Sequence, residues 1–298
     1  MEMKWKHILG NTWCMEGDPC IPVYLLNDRE AVLFDTGYST NREQIDTLLA
    51  EKGLRVRAAF GSHAHNDHLG NHAYYQSLGA EIILRDIEAA IACDYPLLMT
   101  AYWPGTVREM KECFGGLPVH ADRTFSLADT SVEIDGRSFG LFPLPGHTPG
   151  QTGFITPDNV LYAADALLSP SVLHRAKIPT CADWCIDTET KKLLANTSFS
   201  AYILAHGGVF ADIRDLTDEN LADRARRSGE IFRWLQEKRT WTQEEITELF
   251  WQKLDLHAHS LFSQLIFRRN VICAMEYQIA CGHVSCTMER AHRVYTVH

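Results

Sequence analysis

With 298 residues, 46% of them hydrophobic, the chain has enough apolar material for one large domain, or for one domain with a smaller appendage. Lys and Arg number 28 against 38 Asp and Glu, and the net charge of −10 argues against broad electrostatic association with nucleic acid or an anionic membrane. No apolar run reaches bilayer-spanning length, and the first twenty residues, MEMKWKHILGNTWCMEGDPC, hold no uninterrupted apolar core followed by small residues, so the chain reads as cytoplasmic with no membrane partner.

In chain order, VYLLND and AVLFDTG read as a hairpin turning at Asn27 to Glu30, NREQIDTLLAEKG as a helix stopped at Gly53, and VRAAFGS as the next strand. A helix is expected from Asp67 to Leu78, a strand at AEIILR, and an aromatic-rich helical stretch from Asp86 to Gly115. Strands follow at SVEID, SFGLFPLP, TGFITP, NVLYAAD and SAYILAHG, with a helix over Asp183 to Asn196 before the last of them.

Beyond residues 210–216 three segments carry helical periodicity, LTDENLADRARRSGEIFRWLQEKR, TQEEITELFWQKL and SLFSQLIFRRNVICAMEYQIACG, and HVSCTMERAHRVYTV alternates as a hairpin. The expected domains are therefore 1–212 and 213–298. The second is a small, mainly α-helical, winged-helix-like appendage, read as a packing or dimerisation module because no basic recognition helix is evident. A homo-oligomer is compatible with that reading. Nine cysteines are scattered through apolar segments with no C-x2-C spacing, so reduced, mostly buried thiols are expected, Cys181 and Cys185 of CADWC included.

The stretch SHAHNDHLGN crowds His63, His65, Asp67 and His68 into six positions after a strand. In extended backbone, side chains two apart point the same way, so His63 and His65 converge on one metal ion. Asp67 and His68 fall on the turn into the next helix, displaced toward a second ion. Imidazole with carboxylate suits zinc, and a catalytic zinc keeps one position for water beside about three protein ligands, so more donors are needed. His147 after SFGLFPLPG, Asp165 after NVLYAA and His206 after SAYILA stand at strand exits, where sites collect in sheet-based folds.

Taken in order, SHAHNDHLGN, PGHTPGQTGF, YAADALL and LAHGG, with VLFDTG upstream, resemble the motif series of the metallo-β-lactamase superfamily over about residues 5–210. The resemblance implies an α/β fold, a four-layered αββα sandwich with a two-metal site in the groove between its sheets. It implies His63, His65 and His147 around the first ion, Asp67, His68 and His206 around the second, and Asp165 bridging them. Asp35 would hydrogen-bond the metal loop rather than the metal. Ala205 replaces the usual residue before the final ligand and leaves that ligand in place. Two zinc ions are implied, with iron or manganese as the other option. His65, where the oxygen-reducing di-iron relatives resemble one another in carrying glutamate, leans toward zinc and hydrolysis.

Two ions about 3.5–4 Å apart can hold a bridging hydroxide, because bound water is acidified from about 15.7 toward 7. The expected reaction is attack of that hydroxide on the carbonyl of a small-molecule thioester, lactone or amide, with Asp67 orienting the hydroxide and shuttling its proton. Resemblance to the glyoxalase II and lactonase branches rests on the shared metal motif. Phosphodiester or nucleic-acid cleavage is the second reading, weakened by the acidic balance. A ligand-sensing regulator whose tail contacts DNA is the third, and the complete ligand set argues against it. Tyr95, Tyr102, Trp103, His174 and Trp184 are candidates to line the substrate groove. His72, on the helical face of His68, reads as a surface or supporting residue, and His257 and His259 as surface or helix-packing residues; Arg268 and Arg269 of IFRRN read as a solvated helix face, with a contact to a substrate carboxylate or phosphate as the alternative.

Overall fold

The computed structural model describes residues 2–94, 96–98, 106–113, 118–257 and 260–298. Seven strands, β1 (Lys4–Leu9), β2 (Thr12–Glu16), β3 (Ile21–Asn27), β4 (Glu30–Phe34), β5 (Arg55–Gly61), β6 (Glu81–Arg85) and β7 (Arg123–Phe125), pair in sequence order, antiparallel up to β4 and parallel beyond it. Six more, β8 (Ser131–Ile134), β9 (Arg137–Pro143), β10 (Thr152–Ile155), β11 (Val160–Ala164), β12 (Ala201–Leu204) and β13 (Gly208–Phe210), make a second sheet in the order β13-β12-β11-β10-β9-β8. The expected hairpin at Asn27–Glu30 is β3–β4. The edge strand β1 buries little of its surface, so KWKHIL carries no hydropathy signal that announces it.

Alternation along each strand builds the layers. Val32 and Phe34 of β4, Ala58 and Phe60 of β5 and Ile83 of β6 face Phe139, Leu141, Phe154, Tyr162 and Ile203 of the second sheet. The alternate residues, Leu33, Ala59, Ile82 and Leu84, face outward onto helices. Those helices are α1 (Arg42–Glu51), α2 (Asn66–Leu69), α3 (His72–Ser77), α4 (Asp86–Ala92) and α5 (Val107–Cys113). On the far side Leu161 and Ala163 of β11 and Tyr202 and Leu204 of β12 meet α7 (Trp184–Ala195) and α8 (Arg214–Leu235), which follow the short α6 (Pro170–Arg175). The result is the four-layered αββα sandwich.

One expected helix, Asp67 to Leu78, is two. At the break Gly70 lies against the loop after β4, where a Cβ would stand 2.5 Å from Gly37 O and 2.6 Å from Ser39 N. Asn71 donates from Nδ2 to Thr36 O and Tyr38 O, both at 2.7 Å, so its amide ties that loop down. The stretch expected from Asp86 to Gly115 is α4 and α5, separated by a segment that includes residues outside the described set.

The C-terminal part contains α9 (Gln243–Lys253) and α10 (Leu261–Ala280), with β14 (Thr240–Thr242), β15 (Val284–Glu289) and β16 (His292–Val297) in the order β14-β16-β15. Thr242 caps α9 through Glu245 N while the Glu245 carboxylate accepts from Thr242 N, a reciprocal cap that ends β14 and starts the helix within one residue. The core of this part joins Ile231, Leu235, Trp241, Phe250, Phe267, Val271 and Tyr295 to Cys181 and Trp184, so its packing crosses residue 212. Among the described residues no helix is long and apolar enough to cross a membrane.

Two expectations change here. Cys14 and Cys20 form a disulfide rather than staying as thiols. Cys181 donates its thiol to Gly146 O at 3.1 Å, away from Cys185. Trp184, expected in the substrate groove, is 1% exposed inside the C-terminal core, with the Arg224 guanidinium 3.9 Å from its ring centroid. Asp183 caps α7 and turns its first residue inward, which takes the indole to the core. Trp184→Ala is expected to lower stability by about 3–5 kcal/mol in urea unfolding, the cost of an unfilled aromatic site.

Candidate metal centre

The candidate donors stand on loops leaving the ends of β5, β9, β11 and β12, and Asp35 stands at the end of β4. Asp35 is 1% exposed, with φ of 63°, a conformation that Asp tolerates better than most residues. Its Oδ1 accepts from Ser62 N at 2.7 Å; its Oδ2 accepts from Ser62 Oγ and His68 Nδ1, each at 2.7 Å, and from Tyr162 OH at 2.6 Å. That carboxylate fixes the start of the histidine loop and turns His68 so that Nε2 faces the cluster. Ala164, at φ 46°, stands where the β11–β12 register shifts, and the irregularity aims Asp165 inward.

The seven donors expected from the sequence come together. His63 Nε2 is 2.9 Å from His65 Nδ1, and His147 Nε2 is 3.1 Å from the same atom. Asp165 Oδ2 lies 3.4 Å from His147 Nε2 and 3.6 Å from His68 Nε2, while its Oδ1 lies 3.8 Å from His206 Nε2. Asp67 Oδ2 is 3.2 Å from His206 Nε2 and 3.7 Å from His68 Nε2. Three groups, His63-His65-His147, His63-His68-Asp165 and Asp67-His68-His206, each bring their ligand atoms within 4.8 Å of one another, close enough to hold a metal ion. Asp165 belongs with donors of both ends.

The rings are held through their other nitrogens. His63 Nδ1 lies 3.0 Å from Ser62 Oγ, His147 Nδ1 donates to Thr180 O at 3.1 Å, and His206 Nδ1 donates to Asp18 Oδ1 at 2.5 Å. Hydrogen bonds of this kind orient a ligating ring and fix which of its nitrogens faces the site.

The electrostatics divide the cluster. Burial, then the neighbouring imidazoles, pushes His63 and His147 down and takes His65 to about 3, so these rings are neutral. Burial opposes charge on His68 and His206 too, but the carboxylates around them prevail. Asp67, Asp165 and Asp35 hold His68 well above the usual histidine range, and Asp67, Asp165 and Asp18 hold His206 at about 9. Asp67 and Asp165 are themselves desolvated, yet the facing histidines keep both well below the usual carboxylate range.

Several supports had no signal in the sequence. Glu88 is wholly buried and accepts from Ala64 N at 2.8 Å and from Thr148 Oγ1 and Gly150 N, each at 2.7 Å, clasping the loop of His63 and His65 to the loop of His147. Its only trace in DIEAAIA is that it shares a helical face with buried Ala92. Gly146, at φ 131°, lets α7 approach the loop of His147, since a Cβ there would stand 2.4 Å from Asp187 Cα. His72, four residues beyond His68, is neither a donor nor at the surface; it is buried, with Nδ1 2.9 Å from Thr36 Oγ1.

Above the donors opens a cavity of about 360 Å³, within the size range of ligand pockets. His174 is exposed and not among its lining residues, because Val172 and Ala176, four apart, take the inward face of α6 and its end. Tyr95, Tyr102, Trp103 and His259 lie outside the described residues. His257 is exposed, 3.6 Å from Asp255, and is not among the cavity's lining residues. The lining instead includes Tyr38, Ile178, Pro179 and Ile266, none of them anticipated. Burial and the charge of Asp67 push the Tyr38 phenol to about 12, so it stays protonated and donates to Asp67.

The family model described as Metallo-beta-lactamase superfamily matches residues 21–222. The hydroxyacylglutathione hydrolase GloC of Haemophilus influenzae is 26% identical over 161 residues, 49% of this chain and 65% of that protein, so the chain spans a little under two thirds of that relative's length. A solved metallo-beta-lactamase family protein from Thermus thermophilus is similar at TM-score 0.68 and 21% identity over 94% of each chain. A beta-lactamase domain protein from Burkholderia ambifaria is similar at 0.70 and 17%, over 99% of this chain and 94% of its own. Both structural likenesses carry the fold and extend over nearly the whole chain.

Two outcomes follow from the supports. Glu88→Ala leaves three buried donors without an acceptor and is expected to cost about 2–4 kcal/mol in urea unfolding of metal-free protein. His72 is held at about 4 by burial, against 6.5 for the free side chain, so the unfolded chain takes up its proton first. Stability from its neutral form is full above pH 6.5 and is lost as pH falls toward 4. The stability difference between the native chain and His72→Gln should therefore fall by about 2 kcal/mol from about pH 7 to about pH 5 in chelator-treated samples.

Proposed function

The chain belongs to the metallo-beta-lactamase superfamily, and from that premise we propose that it is a two-metal hydrolase acting on the carbonyl of a small-molecule thioester, lactone or amide. The observation that carries this reading is the convergence of seven donors beneath one cavity, with His68 Nε2 and Asp165 Oδ1 buried and without hydrogen-bond partners. Buried polar atoms of this kind are costly unless something meets them, and a divalent cation that displaces the His68 proton fits both. His63, His65 and His147 would hold one ion, Asp67, His68 and His206 the other, with Asp165 between them. Zinc is the ion this imidazole and carboxylate set suits best.

When bound, the ions supply an acidified water as nucleophile and a Lewis acid for the carbonyl oxygen. The chain's own residues position that chemistry. Asp67, ionised and facing the cavity, accepts a hydrogen bond from a water and so aims its lone pair at a carbonyl carbon. Tyr38, protonated beside it, keeps the carboxylate oriented. Asp35, Glu88 and Asp18 hold the rings and loops in place, so little reorganisation is needed when a substrate arrives. The described lining of the cavity includes no Lys or Arg to clamp a phosphate, which supports an acyl substrate over a phosphodiester. The Haemophilus relative, named for hydrolysis of hydroxyacylglutathione, lies in the same acyl class.

The test loads metal-free protein with zinc, manganese or iron and assays a thioester, a lactone, a cephalosporin-type amide and a phosphodiester. Acyl turnover is expected, with Asp67→Asn lowering kcat by about 10²–10⁴-fold and His63→Ala lowering bound metal by elemental analysis. Failure of every metal to bind or to restore turnover would overturn the proposal, and turnover of the phosphodiester alone would replace the substrate class.

A further inference from the structure

The lining of the cavity over the donors is of two kinds. His65, Asp67, His147, Asp165 and His206 are candidate ligands, and Leu168, Val172, Ile178, Pro179 and Ile266 are apolar, with Tyr38, Asn66 and Thr180 adding polar groups. Lys191 lies 2.5 Å and Arg224 2.7 Å from Asp187, and Arg227 lies 2.6 Å from Asp223, so each of these three has a carboxylate partner, and they line a small neighbouring pocket that shares His147 and Asp165 with the cavity rather than the cavity itself. A hydrocarbon chain would displace water from these apolar residues, and the described lining includes no Lys or Arg to pair with an anionic tail.

Ile266 comes from α10, far along the chain from every donor. Its neighbours hold it from both sides, because Leu265 is buried in the core outside the first sheet and Phe267 in the C-terminal core. Residue 266 is thus presented to the cavity by a helix anchored in two cores, a placement more rigid than a loop could give.

We propose that the apolar part of the lining receives the substrate's acyl group as an uncharged hydrocarbon chain, and that Ile266 is a specificity-determining contact for it. The proposal rests on the hydrolase reading above. It gives the C-terminal helices a part in substrate selection as well as in packing.

The test separates binding from turnover. Zinc-loaded protein is titrated calorimetrically with straight-chain methyl ketones of four to ten carbons, which carry the carbonyl but no leaving group. The matching S-acyl N-acetylcysteamine thioesters are assayed in parallel. Affinity for the ketones, and kcat/KM for the thioesters, should rise about three- to fourfold per methylene until the wall is filled. Ile266→Ala should flatten that slope and Ile266→Leu restore it, with thermal melts showing both variants folded. An acyl chain ending in carboxylate should bind at least about tenfold more weakly than its methyl-ended homologue. Affinity flat along the ketone series, or a slope indifferent to Ile266→Ala, overturns the proposal even where thioesters turn over. A rising ketone series with no turnover of any acyl substrate retains the apolar subsite and removes the hydrolase reading.

Discussion

One carboxylate, that of Asp35, organises both sheets and the donor cluster between them. It lies at the end of β4, yet it binds Ser62 after β5, His68 on α2 and Tyr162 of the opposite sheet. A buried carboxylate costs several kcal/mol unless its lone pairs are met, and here four donors meet them. The same bonds that satisfy the anion determine where His68 points and how the sheets stand relative to each other. The site is a consequence of satisfying one charge in a dry place.

From there the electrostatics run outward in a graded way. Burial disfavours charge on His63, His65 and His147, whereas Asp35, Asp67, Asp165 and Asp18 favour it on His68 and His206. A cation bound near His68 and His206 would have to displace protons that those carboxylates favour, whereas near His63, His65 and His147 burial already disfavours the charged form.

What the sequence disclosed, and what it hid, follows from distance along the chain. His63, His65, Asp67 and His68 are legible because local backbone geometry alone makes them converge, and His147, Asp165 and His206 because each follows a strand whose apolar alternation is plain. The strands were legible in the same alternation, as Leu161 and Tyr162 taking opposite faces of β11 illustrates, whereas the sandwich they build was implied by the motif resemblance. Glu88 and Asp18 were hidden because their partners lie 60 and 188 positions away, and nothing local distinguishes them from surface acids. The helix break at Gly70 was hidden for a related reason, since the obstacle is backbone from residues 37–39. Trp184 misled because an aromatic residue in a loop near a donor suits a pocket and a core equally well, and the cap at Asp183 decided between them.

The core that Trp184 and Cys181 share with residues 231–295 bears on the order in which the molecule is made. All seven donors have left the ribosome soon after residue 206 has been synthesised. The segment that sets Thr180 against His147 acquires its packing partners only when α8 and α10 follow. The nascent chain thus carries its full set of imidazoles and carboxylates before the helices that pack the wall beside them have been made.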